Sequence, residues 1–191
     1  MIRWHPESFG TFILNPDYSR ITMYREVQNI FGRVFYRIEY NSAANIVEAE
    51  WQGAATQQDL RNAVVAGLEV HERTHCAYRL NDNTGFSGPW ADSVAWLEEE
   101  WLPRAHAAGI RYLAHVARAG SFGEQAGEAM LRGRIGSQIE VALFFNRPAA
   151  FKWLTQKQGE QAAGPGARGL PTRQAKACHK GPKPLRECSA A

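Results

Sequence analysis

Two stretches of this 191-residue chain carry side chains whose types and spacing could do chemistry. His71, Glu72 and His75 fit the pattern H-E-x-x-H. On a helix, that spacing stacks two imidazoles one turn apart to share a zinc ion, and the glutamate can act as general base on a bound water. The chemistry would be metal-assisted hydrolysis. The second stretch, NDNTGFSG from Asn81 to Gly88, presents Asn81, Asp82, Asn83, Thr84 and Ser87 just ahead of Trp90. Thr84 and Ser87 are its hydroxyls, and a phosphate on Ser87 would stand near a helix N-terminus, where free N–H groups and the dipole favour an anion.

The surrounding residues weigh against the first reading. The extended zinc motif needs glycine where Tyr78 stands and histidine where Asn81 stands, and Arg73 sets a cation beside the metal position. Glu98, Glu99 and Glu100 are all at a distance suited to a further ligand, and nothing selects one. His71 and His75 therefore read as the last turns of a helix, where positive charge complements the dipole. No metal and no cofactor is expected. His115 falls on a buried strand pattern and reads as a core histidine, while Cys178, His179 and Cys188 lack the second pair that a zinc knuckle requires. Three cysteines, only Cys76 within the patterned region, imply no disulfide framework.

The elements that must position these groups follow from periodicity. Val34, Tyr36, Ile38 and Tyr40 alternate with Phe35, Arg37 and Glu39, and Ile46 to Trp51 repeats the β-rich composition after a turn, so a hairpin is expected. Thr56 with Asp59 forms a capping box, and Leu60, Val64 and Leu68 make one helical stripe. Ala77 to Leu80 reads as a short strand and Asn81 to Gly88 as the loop after it. Pro89 suits the first turn of a helix whose Trp90, Val94, Leu97 and Trp101 recur at helical spacing, with Pro103 expected to end or kink it. Ile110 to Ala117 reads as a central strand. Ser121 and Glu124 cap a helix that Gly127 weakens by about 1 kcal/mol relative to alanine, making it the expected mobile element. Ile139 to Phe145 is a further strand, and Asn146 and Pro148 open a last helix with Phe151 and Leu154 inward.

The order is β-β-α-β-α-β-α-β-α, an α/β domain on a mixed four- to five-stranded sheet spanning residues 33 to 157. Residues 1 to 32 read as an irregular arm containing a short edge strand, and Met23, just ahead of the patterned region, is read as an alternative translation start. Residues 158 to 191 read as a disordered tail, rich in Gly, Pro, Lys and Arg and poor in large apolar groups. The net charge of +3 is unevenly spread. Residues 155 to 191 hold seven Lys or Arg against Glu160 and Glu187, so the tail is basic and the rest slightly acidic. The tail lacks the interleaved aromatics that stack on bases, and no specific nucleic-acid binding is expected. No apolar run of about 18 residues spans a bilayer and the N-terminus lacks an apolar leader core, so a cytoplasmic protein is expected.

The element order, the hairpin YRIEYNSAANIVEAEWQG, LNDN at a strand end, the passage WLEEEWLPRAHAAGI and the closing FFNRPAAFKWL together resemble the SpoIIAA-like group of STAS domains, bacterial proteins also described as STAS/SEC14-like. The resemblance covers about two thirds of the chain. It implies a regulatory or protein-interaction module without catalysis, docking a partner through the loop and helix after a central strand and switched by phosphorylation of a hydroxyl there. Carried onto this chain, the contact surface is Asn81, Asp82, Asn83, Thr84, Ser87 and Trp90, with Ser87 and Thr84 as phosphate acceptors. The SEC14-like label adds a second reading, a small apolar ligand held among Trp90, Trp96, Trp101 and Phe122.

Overall fold

The computed structural model describes residues 23–88 and 93–163. Six strands form one mixed sheet in sequence order: β1 (Tyr24–Gln28), β2 (Val34–Asn41), β3 (Ile46–Gly53), β4 (Tyr78–Phe86), β5 (Tyr112–Val116) and β6 (Glu140–Phe144). β1 pairs antiparallel with β2 and β2 with β3, and β3 to β6 run parallel. Between them lie α1 (Gln57–Thr74), α2 (Ser93–Trp96), a π-helical turn (Leu97–Trp101), α3 (Leu102–Ala107), α4 (Phe122–Arg132) and α5 (Arg134–Gln138), and α6 (Arg147–Ala162) follows β6.

The sheet has one strand more than the four or five expected, because β1 belongs to it. The short edge strand expected within the arm over residues 21 to 27 is this strand, and its sequence YREVQ, which alternates exposed and half-buried side chains without a fully apolar face, is held in the sheet by pairing with β2. The folded region therefore begins ahead of residue 33. It also runs past residue 157, since α6 continues to Ala162 on polar anchors that hydrophobic periodicity does not register: Lys157 pairs with Glu140 at 2.8 Å, and Tyr78 Oη donates to Gln161 at 2.5 Å.

Two faces of the sheet differ sharply. One is packed by α1, the α2–π–α3 rod, α4 and α5 over Tyr36, Ile38, Trp51, Leu113 and their neighbours, and it forms the core. Among the described residues the other is covered by α6, which lies on β4, β5 and β6. Over β1 to β3 it stays polar, with Tyr24, Glu26, Arg37, Glu39, Glu48 and Glu50 in cross-strand register.

Pro103 does not break its helix. The preceding turn opens instead to π geometry, with Leu102 N–H bonding Leu97 C=O. A proline cannot donate to the carbonyl four residues back and its ring crowds that carbonyl, so a widened turn just before it relieves both conflicts.

Gly127 has a packing role rather than a loosening one. A Cβ there would stand 2.8 Å from His115 Cδ2 and 3.0 Å from Leu143 Cδ1. The bare backbone lets α4 settle on β5 and β6. Gly127→Ala is accordingly expected to destabilise by about 1–3 kcal/mol through overpacking, despite the helix-propensity gain of about 1 kcal/mol. Urea unfolding measures this, and a more stable variant would show that the contact yields.

Candidate functional site

The parallel strands point their carboxyl ends to one edge, where crevices of open α/β sheets ordinarily receive ligands. β1 is antiparallel to β2 and β2 to β3, so β1 ends there as well. Along this edge lie the turn after β1, the β3–α1 loop, the end of β4, the start of α4 and the residue after β6.

Four large apolar side chains are exposed on that edge: Ile30, Phe31, Phe122 and Phe145, with Phe31 79% and Phe145 57% accessible. Among the described residues the remaining exposed large apolar groups are Tyr24 and Leu131, both away from it. Arg33 and Arg118, two residues from Phe31 and four from Phe122 along the chain, are exposed as well. Six strands about 4.8 Å apart make the edge roughly 25 Å wide.

Ser87 sits on this rim. It is exposed, and its backbone N–H and its Oγ both donate to Gly53 C=O, at 2.8 and 3.1 Å. Asn29, which holds the Ile30–Phe31 turn through its side-chain oxygen, donates to the next carbonyl, Ala54, at 3.5 Å. Ser87 and the apolar turn thus share one loop as their footing.

The remaining residues expected on a contact loop are not in a loop, because β4 extends to Phe86. Strand alternation then sends them to opposite faces. Asn81 and Asn83 are buried on the helix-packed side. Asp82 points to the other side, where Arg147 bridges it (3.6 Å) to Glu48, and Thr84 Oγ1 donates to Asp82 at 2.7 Å. Turn-forming residues such as Asn and Asp are poor strand formers, and here the parallel pairing of β4 with β3 overrides that local preference. Trp90 lies outside the described residues.

Asn81 is the centre of an interior polar chain. The Trp51 indole N–H donates to Asn81 Oδ1 at 2.9 Å, Asn81 Nδ2 donates to His115 Nδ1 at 3.3 Å, and His115 Nε2 donates to Gly123 C=O at 2.9 Å. The partners fix the neutral tautomer with its proton on Nε2. Burial lowers the His115 pKa to about 4, only partly opposed by the Gly123 carbonyl and the Asp82 charge. Sequence parity places Trp51, Asn81 and His115 on alternating positions, but they meet only once β3, β4 and β5 are known to be adjacent.

His71, Glu72 and His75 do not converge. His71 is fully buried and its Nδ1 donates to Cys76 C=O at 2.9 Å. Burial, with the nearby Arg79 charge, lowers its pKa to about 3. Glu72 faces outward and pairs with Arg104 at 2.9 Å, and His75 is exposed beyond the helix end with φ of 50°. The helical register that would have stacked the two imidazoles ends before His75. Among the described residues no group of three His, Cys, Asp or Glu is placed to hold a metal ion.

The aromatic residues expected around an apolar ligand are dispersed. Trp101 lines a small cavity of about 30 Å³ with Trp51, whereas Trp96 stacks under the Arg61 guanidinium and Phe122 is on the outer rim. Drug-sized sites occupy about 300–1,000 Å³, so this cavity suits nothing of that size.

What fold and site define is an α/β protein with a mixed six-stranded sheet, an apolar and arginine-bearing rim at the carboxyl edge, and an interior that encloses a Trp51–Asn81–His115 hydrogen-bonded chain. No described helix is long and apolar enough to cross a membrane. No family model, curated protein or solved structure matches the chain.

Proposed function

We propose that this chain is a non-enzymatic interaction module of STAS type that docks a protein partner through the carboxyl edge of its sheet. The observation that carries the reading is that Ile30 and Phe31, beyond β1, and Phe122 and Phe145, beyond β5 and β6, are all exposed along the one carboxyl edge, with Arg33 and Arg118 exposed close to them in sequence. Apolar groups exposed together mark interaction surfaces, and aromatic and arginine side chains are the types that dominate binding hot spots. The STAS-type assignment rests on the sequence resemblance, and the rim supplies a surface where such a module works. The interior supports a scaffold role: His71 and His115 are buried and held neutral, each bonding a backbone carbonyl through one ring nitrogen, so neither faces the rim as an acid or base.

Ser87 is the switch in this reading. It stands among the rim groups on the same loop footing as Phe31, and a phosphate there would place about two negative charges beside an apolar contact, where desolvation opposes docking. Replacing Phe31 and Phe145 together by Asp is expected to weaken partner binding at least 100-fold while leaving the urea midpoint of the isolated protein within error, and Ser87→Asp is expected to weaken it about tenfold. Affinity measured by titration against the purified partner checks both. Unchanged affinity in the double variant would remove the rim from the interface.

A further inference from the structure

The sheet face opposite the core carries an excess of negative charge where α6 does not cover it. Glu26, Glu39, Glu48 and Glu50 of β1 to β3 and Asp82 of β4 lie there with two cations, Arg37 and Arg147. Arg37 pairs with Glu26 at 2.8 Å, and Arg147 bridges Glu48 and Asp82. Among the described residues Glu39 and Glu50 have no ion pair, although Glu50 accepts from the Gln52 amide at 2.8 Å. Glu39 stands directly opposite Glu48 across the β2–β3 ladder, and like charges so placed repel. Glu39 and Glu50, with Tyr24, Arg37, Glu48 and Arg147, border an open cavity of about 210 Å³ on this face.

The chain itself supplies a complement. α6 ends beside this face: Gln158 Nε2 donates to the carbonyls of Ala44 and Asn45, in the turn joining β2 to β3, at 2.8 and 3.1 Å, and the helix stops at Ala162. The sequence beyond it, residues 164–191, holds Arg168, Arg173, Lys176, Lys180, Lys183 and Arg186 against Glu187 alone. Fully extended, such a length spans about 90 Å, whereas the face measures about 25 Å along the strands and about 10 Å across β1 to β3. Reach therefore sets no limit. Residues 1–22, at the other end, hold Arg3 and Arg20 against Glu7 and Asp17, so their side chains bring no net charge. Charge selects the C-terminal segment.

We propose that the acidic face over β1 to β3 is a docking site for a Lys/Arg-rich segment, and that residues 164–191 of the same chain are its occupant. Their cations balance Glu39 and Glu50 and relieve the repulsion between Glu39 and Glu48. Exposed ion pairs are individually weak, so the contact rests on several pairs at once and yields to salt. The surface is a sheet face, distinct from the carboxyl edge.

The test treats the full chain at low ionic strength with a carbodiimide, which joins a carboxylate to an amine in contact with it. Peptide mapping should find Glu39 or Glu50 joined to Lys176, Lys180 or Lys183, with no such link from Glu99 or Glu100, which are exposed on the helical rod. Mixing isotope-labelled with unlabelled chains separates links within one chain from links between copies, and the expected links lie within one chain. At about 1 M salt, where the Debye length falls to about 3 Å, they should disappear. The second readout is thermal. Replacing the six C-terminal Lys and Arg by Gln turns the net charge from +3 to −3, which leaves overall self-repulsion matched. The variant should melt at a lower temperature than the native chain at low salt, and at the same temperature in about 1 M salt. Links from Glu39 or Glu50 to the Met1 amine would give the face to residues 1–22, and links between labelled and unlabelled chains alone would give it to a second copy. Either result, links spread equally over Glu99 and Glu100, or a Gln variant that melts with the native chain at low salt would overturn the proposal.

Discussion

Lowering the pH from 6.5 to 4.5 is expected to remove on the order of 5 kcal/mol of stability, enough to unfold a typical domain of this size. The cause is the pair of buried neutral imidazoles, His71 with its pKa held at about 3 and His115 at about 4. Both are lowered from the usual value near 6.5, chiefly because burial disfavours the charged ring. As pH falls below 6.5 the unfolded chain takes up two protons that the native state refuses. Each refusal costs about 1.4 kcal/mol per pH unit until the native pKa is reached. Stability from these groups is thus intact above pH 6.5 and declines steadily toward pH 4. Urea unfolding at half-unit pH steps gives the slope, and the His115→Asn variant should show about half of it. A midpoint unchanged between pH 6.5 and 4.5 would mean that the imidazoles reach water or a carboxylate.

The largest single-residue effect is expected at Asn81. Its amide joins β3 to β5 by accepting from Trp51 and donating to His115. Asn81→Ala deletes both bonds at once inside the core and leaves a small hole. Losing a partner costs about 1–3 kcal/mol for each buried polar group involved, so a total of about 3–5 kcal/mol is expected. Trp51→Phe removes one of the two bonds and should cost less in polar terms, and the double variant should fall short of the sum because the groups form one chain. Equilibrium unfolding of the three variants tests this. A change below about 0.5 kcal/mol in Asn81→Ala would show that water or neighbouring groups replace the amide at no cost.

These two expectations show where sequence was legible and where it was not. Period-two alternation in Val34 to Tyr40 and the helical stripe of Leu60, Val64 and Leu68 identified β2 and α1, because each buries one face against one layer. The capping box at Thr56 and the cap at Ser121 marked helix starts correctly, since their hydrogen bonds are local, although at Ser121 the Glu124 carboxylate accepts from Gly120 N–H and the reciprocal bond of a box is not made. The run Asn81 to Thr84 was misread as loop because its strand conformation comes from pairing with β3, a contact about thirty residues away. Gly127 looked like a weakness for the same reason, its close approach to His115 being invisible without the strand order.

The candidate site divided along similar lines. Ser87 was legible as a hydroxyl in the stretch ahead of an expected helix, and it is exposed just after β4. Phe122 and Phe145 were read as ordinary apolar residues of a pocket and a strand, because exposure at an element end leaves no periodic mark. Ile30 and Phe31 fell inside an apparently irregular arm. Arg79, between Tyr78 and Leu80 on a strand, gave no local signal that its charge would be enclosed with no carboxylate among the described residues paired to it.

The most direct test of the docking rim is site-specific photocrosslinking in the cells that make the protein. A photoreactive phenylalanine analogue is placed singly at Phe31, Phe122 and Phe145, and as controls at Tyr24 and Leu131, which are exposed but off the rim. The three rim positions should each yield an adduct of one and the same protein, diminished by Ser87→Asp, with none from the controls. Adducts from the controls alone, or different proteins at each rim position, would contradict a single docking surface at the carboxyl edge.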